Sequence, residues 1–283
     1  MARRCSPLLL VAVAALLAGP APAAPPQPAA PGPAPLVLAL IPQAPVLEMH
    51  ERWTPLAERL SALAGVPIQL KLYEDMEVFE RDFEAGVPDL LFAHPSMAAA
   101  AHRAQGYVPL VRDRAEISGL LLVRKDAPFR TIADLDGRQV AFAGARAFCT
   151  IITQDLLRAQ AVDLDFRPLL TGSTRNVLRA VALGKADAGA SLDFNLAAEP
   201  AELRDQLRVL GSTRPMAAHP LAAHPRVPAE VRERLTAAVL RLAETPADRP
   251  LLARVRLKDP VRADYERDYR ALEREAPASG RRP

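Results

Sequence analysis

Polar side chains that could bind a small anion lie at two points of the sequence where a helix is predicted to begin soon after a strand. The residues concerned are Arg146, Cys149, Thr150, Ser173 and Thr174. The first turn of a helix has unpaired N–H groups and the positive end of the helix dipole, and together they attract anions. A hydroxyl group directed into the same space could donate to a ligand oxygen, and a guanidinium could grip a carboxylate or phosphonate through two parallel bonds.

Each of these residues also has a purely structural explanation. Ser173 or Thr174 could act only as the N-cap of the following helix, and Arg146 could be a solvated arginine in a chain that prefers arginine to lysine. The positive end of the helix dipole would lower the pKa of Cys149. Because no local pattern places a histidine as a base for Cys149, the sequence favours a packing role for this thiol.

A third loop of the same kind follows the predicted strand 90–93. His94 and Ser96 flank Pro95, which is favoured at the first position of a helix, and Ser96 is a further candidate for ligand binding. A structural loop histidine and a capping serine are the alternative. Three apolar residues near the helix starts could contact an apolar part of the ligand or belong to the core: Met97, Phe148 and Phe194.

Two series of alternating strand and helix patterns position these loops. In the first series, Trp53, Leu56, Ala57, Leu60 and Ala64 recur at the spacing of an amphipathic helix. Strand patterns precede and follow this helix, and the order of strand and helix then repeats. Such an order implies a parallel sheet flanked by helices. A second alternating series follows in the middle of the chain.

The two series are joined near 112–119 and again near 210–215, which predicts two lobes connected by a two-segment hinge. We therefore expect an α/β fold of the two-lobed type, each lobe a sheet flanked by helices. Lobe 1 takes residues 36–114 and 212–283, and lobe 2 takes residues 115–211. Ligands bind such sheets beyond the carboxyl ends of the strands, so the candidate loops are expected to line one cleft.

The N-terminal segment has the pattern of a signal peptide. Two arginines precede the apolar run 8–17, which is too short to cross a bilayer, and a small-x-small cleavage site ends at Ala23. We expect residues 1–23 to be removed and residues 24–35, rich in proline and alanine, to form an extended tether. The chain is therefore predicted to be exported to the periplasm as a soluble protein.

Charge and motifs exclude several classes of function. The whole chain carries a formal net charge of +3, the segment after residue 23 carries +1, and no dense basic run indicates a nucleic-acid partner. The chain has no G-x-S-x-G, no Walker-type phosphate loop and no H-E-x-x-H motif. Its five histidines are scattered without the spacing of metal ligands. We expect a monomer that is not an enzyme and holds no metal or cofactor.

Four stretches of the chain resemble the phosphate/phosphite/phosphonate-binding components of ABC transporters, a family of type II periplasmic binding proteins. They are 41–57, 86–96, 134–142 and 180–189, and the resemblance extends from about residue 36 to about residue 272. It implies that two lobes close on a small anion and present it to a membrane permease. It also places Asp193 at an acidic position that the family uses to hold a ligand's amino group, although Asp193 could equally cap the next turn.

The ligand loops depart from the family pattern. Phosphonate binders carry an Asp-Pro-x-Ser-Thr-Ser-Gly-like loop where this chain has Gly-Ala-Arg-Ala-Phe-Cys-Thr at 144–150. Thr174 stands where the family usually has a histidine, and no tyrosine follows 94–96. The ligand is therefore expected to be phosphonate-like, phosphate-like or another small organic anion. Two other functions stay open: a ligand-sensing partner of a membrane receptor kinase, and a secreted hydrolase whose catalytic dyad is assembled only in three dimensions.

Overall fold

The computed structural model of the chain describes residues 34–145, 148–159 and 165–274. The predicted signal peptide, most of the predicted tether and Arg146 lie outside the described residues. Within them there are eleven strands and ten α-helices. In chain order these are β1 (Leu36–Leu40), α1 (Val46–Ala64), β2 (Ile68–Lys71), α2 (Met76–Glu84), β3 (Leu90–Phe92), α3 (Pro95–Gln105), β4 (Val108–Asp113), β5 (Gly119–Arg124), β6 (Gln139–Phe142), α4 (Phe148–Ala159), β7 (Arg167–Leu170), α5 (Thr174–Ala182), β8 (Ala188–Leu192), α6 (Asp193–Ala197), α7 (Ala201–Arg204), β9 (Leu207–Ser212), β10 (Pro220–Ala223), α8 (Ala229–Glu244), α9 (Arg249–Arg254), β11 (Pro260–Arg262) and α10 (Tyr265–Asp268).

The first sheet has six strands in the order β11-β4-β10-β3-β1-β2. β1 pairs in parallel with β2 and β3, as the alternation of strands and helices predicts. β10 runs antiparallel between β3 and β4, and β11 is antiparallel to β4. β4 therefore runs in the same direction as β1, β2 and β3, as expected. The expectation of a purely parallel sheet is wrong, because the antiparallel strand β10 returns from the second series and lies between β3 and β4.

Helix α1 covers this sheet with the apolar face that the sequence predicts. Trp53, Leu56 and Leu60 are buried, and the Trp53 ring meets Phe92 of β3 edge-on, with 4.6 Å between ring centroids. Burial of a large apolar side chain stabilises a fold by roughly 1.5–3 kcal/mol, so this face fixes α1 on the sheet. Gly65 ends the helix in the left-handed conformation, with φ 66°.

The second sheet has five strands in the order β7-β6-β8-β5-β9. β6 is parallel to β7 and β8, whereas β5 is antiparallel to β8 and β9. Ile152 of α4 packs in a core cluster with Leu121 and Phe142, and Val177 of α5 packs in another cluster with Leu122. Because α4 and α5 pack with neighbouring residues of the same strand, they cover opposite faces of the sheet. The predicted α/β class is confirmed.

Two chain segments connect the sheets. Residues 114–118 lead from β4 to β5, and residues 213–219 lead from β9 to β10. The segments pair in antiparallel fashion where Ile117 and Met216 exchange two N–H···O bonds of 2.9 Å. The predicted two-segment connection is thereby confirmed, whereas the lobe boundaries stay a prediction.

Candidate functional site

The half of the molecule that contains the first sheet and the half that contains the second sheet meet where α3 begins after β3 and α4 begins after β6. His94 is the N-cap residue of α3, and Phe148 is the first residue of α4. Their rings are stacked, with centroids 4.5 Å apart and planes 18° apart. The N-termini of one helix from each half therefore lie beside each other. Because both carry unpaired N–H groups and positive dipole charge, this meeting point favours an anion.

His94 is buried and has one unsatisfied ring nitrogen. The residue is 1% exposed, its Nδ1 lies 3.1 Å from Oγ of Ser96, and its Nε2 has no partner among the described residues. Burial lowers the pKa of His94 to about 3, so the imidazole is neutral at physiological pH. When the Ser96 hydroxyl donates to Nδ1, the ring hydrogen resides on Nε2 as a free donor. A buried donor without a partner costs about 1–3 kcal/mol, and a ligand oxygen would remove that cost.

A second buried imidazole, that of His219 in the second connecting segment, lies 6.4 Å from His94 between ring centroids. It stacks on Phe92 of β3, and the side-chain amide of Gln43 donates to its Nε2 at 2.9 Å. Burial lowers the pKa of His219 well below its usual value, and the nearby His94 and Arg256 lower it further. The sequence does not single out His219, whose one local signal is a following proline, as in the pair formed by His94 and Pro95.

Phenylalanine rings from both halves surround His219. Phe148 of α4 and Phe194 of α6 meet it edge-on, with centroid distances of 6.2 and 6.4 Å. Phe148 is buried and Phe194 is half-buried, whereas Met97 packs in the core of the first half. The residues His94, His219, Phe92, Phe148 and Phe194 are called the aromatic cluster below.

The thiol and hydroxyl at the start of α4 are turned to the protein's own interior. Cys149 is buried in the core cluster of the second half. Its burial raises the pKa of the thiol, so the expectation of a lowered pKa is wrong, because desolvation of a thiolate outweighs the favourable helix end. Thr150 is also buried, and its Oγ1 donates to the carbonyl oxygen of Gly144 at 2.7 Å. This bond fastens the entry loop of α4 to the helix.

The loop before α5 is an exposed helix cap. Oγ of Ser173 accepts from the backbone N–H of Asn176 at 3.3 Å, which is the capping role that the sequence offers as an alternative. Thr174 is the half-buried first residue of α5. No hydrogen bond or ring contact within the described ranges joins either residue to the aromatic cluster.

Asp193 fastens the first connecting segment to α6. Its Oδ2 accepts from the backbone N–H of Ser118 at 3.0 Å, and its Oδ1 accepts from the backbone N–H of Phe194 at 2.7 Å. Both carboxylate oxygens thus have backbone partners close to the aromatic cluster. In this structure Asp193 positions Phe194 relative to the connection between the halves.

A cavity of about 790 Å³ lies beside the second connecting segment, between α4 and the C-terminal elements. It holds none of the predicted ligand residues. Its lining combines apolar and charged side chains from both halves: Arg112, Glu116, Ile152, Leu156, Ser212, Thr213, Arg214, Pro215, Met216, Ala217, Arg267, Asp268, Ala271 and Leu272. The interface between the halves is therefore open next to the connection and filled by rings at the aromatic cluster.

The described residues contain neither a metal-binding cluster nor a helix that could span a membrane. No group of three or more His, Cys, Asp or Glu side chains there could hold a metal ion. None of the helices in those ranges has the length and apolar character needed to cross a membrane.

Comparison with solved structures places the fold among known binding proteins. A Xanthomonas citri protein bound to ATP is 19% identical and has a TM-score of 0.73, covering 85% of this chain and 96% of that one. PhnD1 from Prochlorococcus marinus in complex with methylphosphonate is 16% identical with a TM-score of 0.71 and the same coverage. A binding protein of a Pseudomonas aeruginosa phosphonate ABC transporter is 14% identical, with a TM-score of 0.69 and 86% and 85% coverage. At such identities these likenesses establish the fold alone.

Comparison of sequences identifies the family. No curated protein matches the chain significantly. Residues 38–269 match the family described as ABC transporter, phosphonate, periplasmic substrate-binding protein. Because this match spans most of the chain, the protein belongs to that family of substrate-binding components, which are not enzymes.

Proposed function

We propose that this protein is exported to the periplasm, where it captures a small anion between its two halves as a monomer and delivers it to an ABC-type permease. The halves correspond to lobe 1, residues 36–114 and 212–283, and lobe 2, residues 115–211. Phosphonates are the first ligand class to test, because the family carries that name and the Prochlorococcus marinus neighbour was solved with methylphosphonate.

One observation carries the proposal: the unpartnered Nε2 of buried His94 at the junction of two helix N-termini. A neutral N–H donor together with two positive helix ends suits an anion with several oxygens. A free ligand oxygen would accept from Nε2, and other oxygens would reach N–H groups at the starts of α3 and α4. We assign to His94 the tautomer in which the Ser96 hydroxyl donates to Nδ1 and Nε2 carries the hydrogen, so Ser96 contributes indirectly.

The rings of the aromatic cluster favour a ligand with an apolar substituent. Phe148 and Phe194 come from the second half and approach the imidazoles of the first half and the connection. Each CH₂ group buried against such rings contributes about 0.8 kcal/mol, or about fourfold in affinity. Inorganic phosphate gains nothing from this surface, so alkylphosphonates are expected to bind more tightly than phosphate.

The remaining predicted ligand residues come from the second half. Arg146 precedes α4 in the sequence, lies outside the described residues and stays a predicted anion ligand. Ser173 and Thr174 stay predicted ligands at the start of α5, and Cys149 and Thr150 at the start of α4. Asp193 stays predicted to hold a ligand amino group.

Isothermal titration calorimetry tests this function directly. The panel is phosphate, phosphite, methylphosphonate, ethylphosphonate, acetate and ATP, the last because the Xanthomonas citri neighbour was solved with it. We expect at least micromolar affinity for one anion, with ethylphosphonate bound more tightly than phosphate. The substitution His94→Gln is expected to weaken binding at least tenfold, whereas His50→Gln, an exposed histidine on α1, is the matched control. Absence of heat with every anion would remove the proposal while leaving the fold intact.

Delivery to a transporter is tested separately. The protein is added to proteoliposomes that hold a phosphonate permease with its ATPase, and ATP hydrolysis is measured with and without the bound anion. Stimulation that requires both protein and anion supports import. Binding without stimulation favours the alternative of a sensing role.

A further inference from the structure

The backbone of Arg256 has an unusual conformation for an arginine. Helix α9 ends in a turn in which the N–H of Leu257 donates to the carbonyl of Leu252 at 3.0 Å and the N–H of Arg256 donates to that of Ala253 at 3.3 Å. This pattern requires a left-handed residue directly after the cap residue, a position that is usually glycine. Arg256 occupies it with φ 62°.

Every other residue with positive φ in the described ranges is a glycine. The six are Gly65, Gly86, Gly106, Gly137, Gly172 and Gly184. A non-glycine residue in this conformation is strained, at a cost in free energy that glycine avoids. Residues strained in this way cluster at functional sites. The turn therefore explains why residue 256 has a positive φ, but it does not explain why this residue is an arginine and not a glycine.

The guanidinium of Arg256 reaches from the first half to the second. It lies over the ring of Phe194 in α6, with 4.1 Å between the guanidinium carbon and the ring centroid, and 3.5 Å from Oδ1 of Asn195. Phe194 in turn meets the imidazole of His219. Arg256 therefore stands at the edge of the aromatic cluster.

The charge of this guanidinium is uncompensated within the described part of the chain. No carboxylate there forms an ion pair with Arg256, although eleven other ion pairs are present. Arg256 as a whole residue is exposed to solvent, but partial burial of its guanidinium, and then the positive charge of Arg52, lower its pKa to about 10. The side chain is thus still a cation at neutral pH, close enough to the neutral imidazole of His219 to lower the pKa of that histidine.

We propose that Arg256 is a ligand-binding residue that supplies the counter-charge for the anionic group of the ligand from the first half of the molecule. The proposal rests on the proposed function and deepens it, because it assigns a positive charge that the first half contributes to the site. A guanidinium presents two parallel N–H donors to a phosphonate, and the Phe194 ring holds its plane in place. The simpler alternative is that the arginine only fastens the two halves through Phe194.

Three variants separate these roles. Arg256→Gly removes the side chain and suits the left-handed backbone, Arg256→Lys keeps the charge but not the paired donors, and Arg254→Gln changes an exposed arginine two residues earlier. For each protein we measure the affinity for methylphosphonate by calorimetry and the melting temperature without ligand. We expect R256G to bind at least tenfold more weakly with an unchanged or higher melting temperature. R256K is expected to fall between R256G and the wild type, and R254Q to match the wild type.

Two results would overturn the inference. The first is an affinity of R256G within twofold of the wild type, which leaves the proposed function standing. The second is an affinity of R256K no higher than that of R256G, because the retained positive charge would then contribute nothing to binding. If the wild type itself binds no anion, the proposed function fails, and the assignment of Arg256 fails with it.

Discussion

Acid is expected to destabilise this fold through His94 at a pH where carboxylates still carry their charge. In the folded protein the pKa of His94 is about 3, whereas in the unfolded chain a histidine has a pKa of about 6.5. Between these values the unfolded state binds a proton that the folded state does not, so the free energy of unfolding falls as the pH falls. The contribution is complete above pH 6.5 and declines by about 1.4 kcal/mol for each pH unit below it.

The magnitude at pH 5 does not depend on the folded-state pKa of His94, provided that this value is below about 4. Protonation of the unfolded chain alone then lowers the free energy of unfolding by about 2 kcal/mol relative to pH 7.5. His219 acts in the same direction, because its pKa is lowered as well. The carboxyl groups of Asp82, Asp134 and Asp268 have lowered pKa values, and their effect belongs to more acidic conditions.

Urea unfolding at pH 7.5, 6.5, 5.8 and 5.0 measures this effect. The comparison is between the wild type, His94→Gln and His50→Gln, in which the last variant changes an exposed histidine. The wild type and H50Q are expected to lose stability in parallel below pH 6.5. H94Q is expected to lose about 2 kcal/mol less between pH 7.5 and 5.0. An H94Q curve parallel to that of the wild type would refute the assignment of His94 as a buried neutral imidazole.

Two further predictions concern stability. Thr150→Val removes the hydroxyl that donates to the Gly144 carbonyl and is expected to lower the free energy of unfolding by about 1 kcal/mol. Thr150→Ser keeps a donor and is expected to lose less of this free energy. Equal losses in the two variants would contradict this role of the hydroxyl. Gly189→Ala brings a Cβ to 2.6 Å from Val177 and 2.7 Å from Val181, so a loss of about 1–3 kcal/mol in urea unfolding is expected. Gly144→Ala has no atom within 4 Å of the new Cβ and is the control; equal stability of the two alanine variants would contradict the close packing of α5 on β8.

Local signals in the sequence were sufficient for the elements that position the site. Pro95 marks the start of α3 and Gly65 the end of α1, because proline and glycine have conformations that suit these places. The periodic apolar residues of α1 and the two connections between the sheets are also readable from order and spacing. The strand β10 was missed because Pro220–Ala223 has neither the length nor the alternation of a strand pattern. Its place in the sheet depends on the returning chain.

His94, Phe148 and Phe194 were singled out from the sequence, but their contacts with His219 could not be predicted, because these residues come together only through the tertiary fold. His219 lies in the second connecting segment and reaches His94 because β10 inserts beside β3. Arg256 was missed for a similar reason: only the backbone shows that it takes the place of a glycine at the end of α9. Conversely, the hydroxyl of Ser173 was visible in the sequence, and the structure assigns it to capping α5.

The contacts that cross between the halves at this site are weak enough for a ligand to control them. The stack of His94 on Phe148 and the contact of Arg256 with Phe194 are each expected to contribute about 1 kcal/mol. A micromolar ligand supplies about 8 kcal/mol. A ligand shifts a conformational equilibrium only by the difference between its affinities for the two states. An anion that contacts both His94 and the start of α4 binds more tightly when the halves are together than when they are separated, because separated halves offer it only some of its partners.

Under the proposed function, the second connecting segment couples ligand binding to closure of the two halves. Its residue Met216 pairs with Ile117 of the first connection. Three residues later, His219 belongs to the aromatic cluster and stacks on Phe92. Asp193 joins the first connection to α6 in the same way, since its carboxylate holds both Ser118 and Phe194. A rotation at either connection must therefore displace an aromatic or imidazole ring of the site. Asp193→Asn weakens one of these links and leaves His94 unchanged. This variant is therefore expected to alter the rate at which the halves close on the ligand more than it alters the contacts of the enclosed ligand.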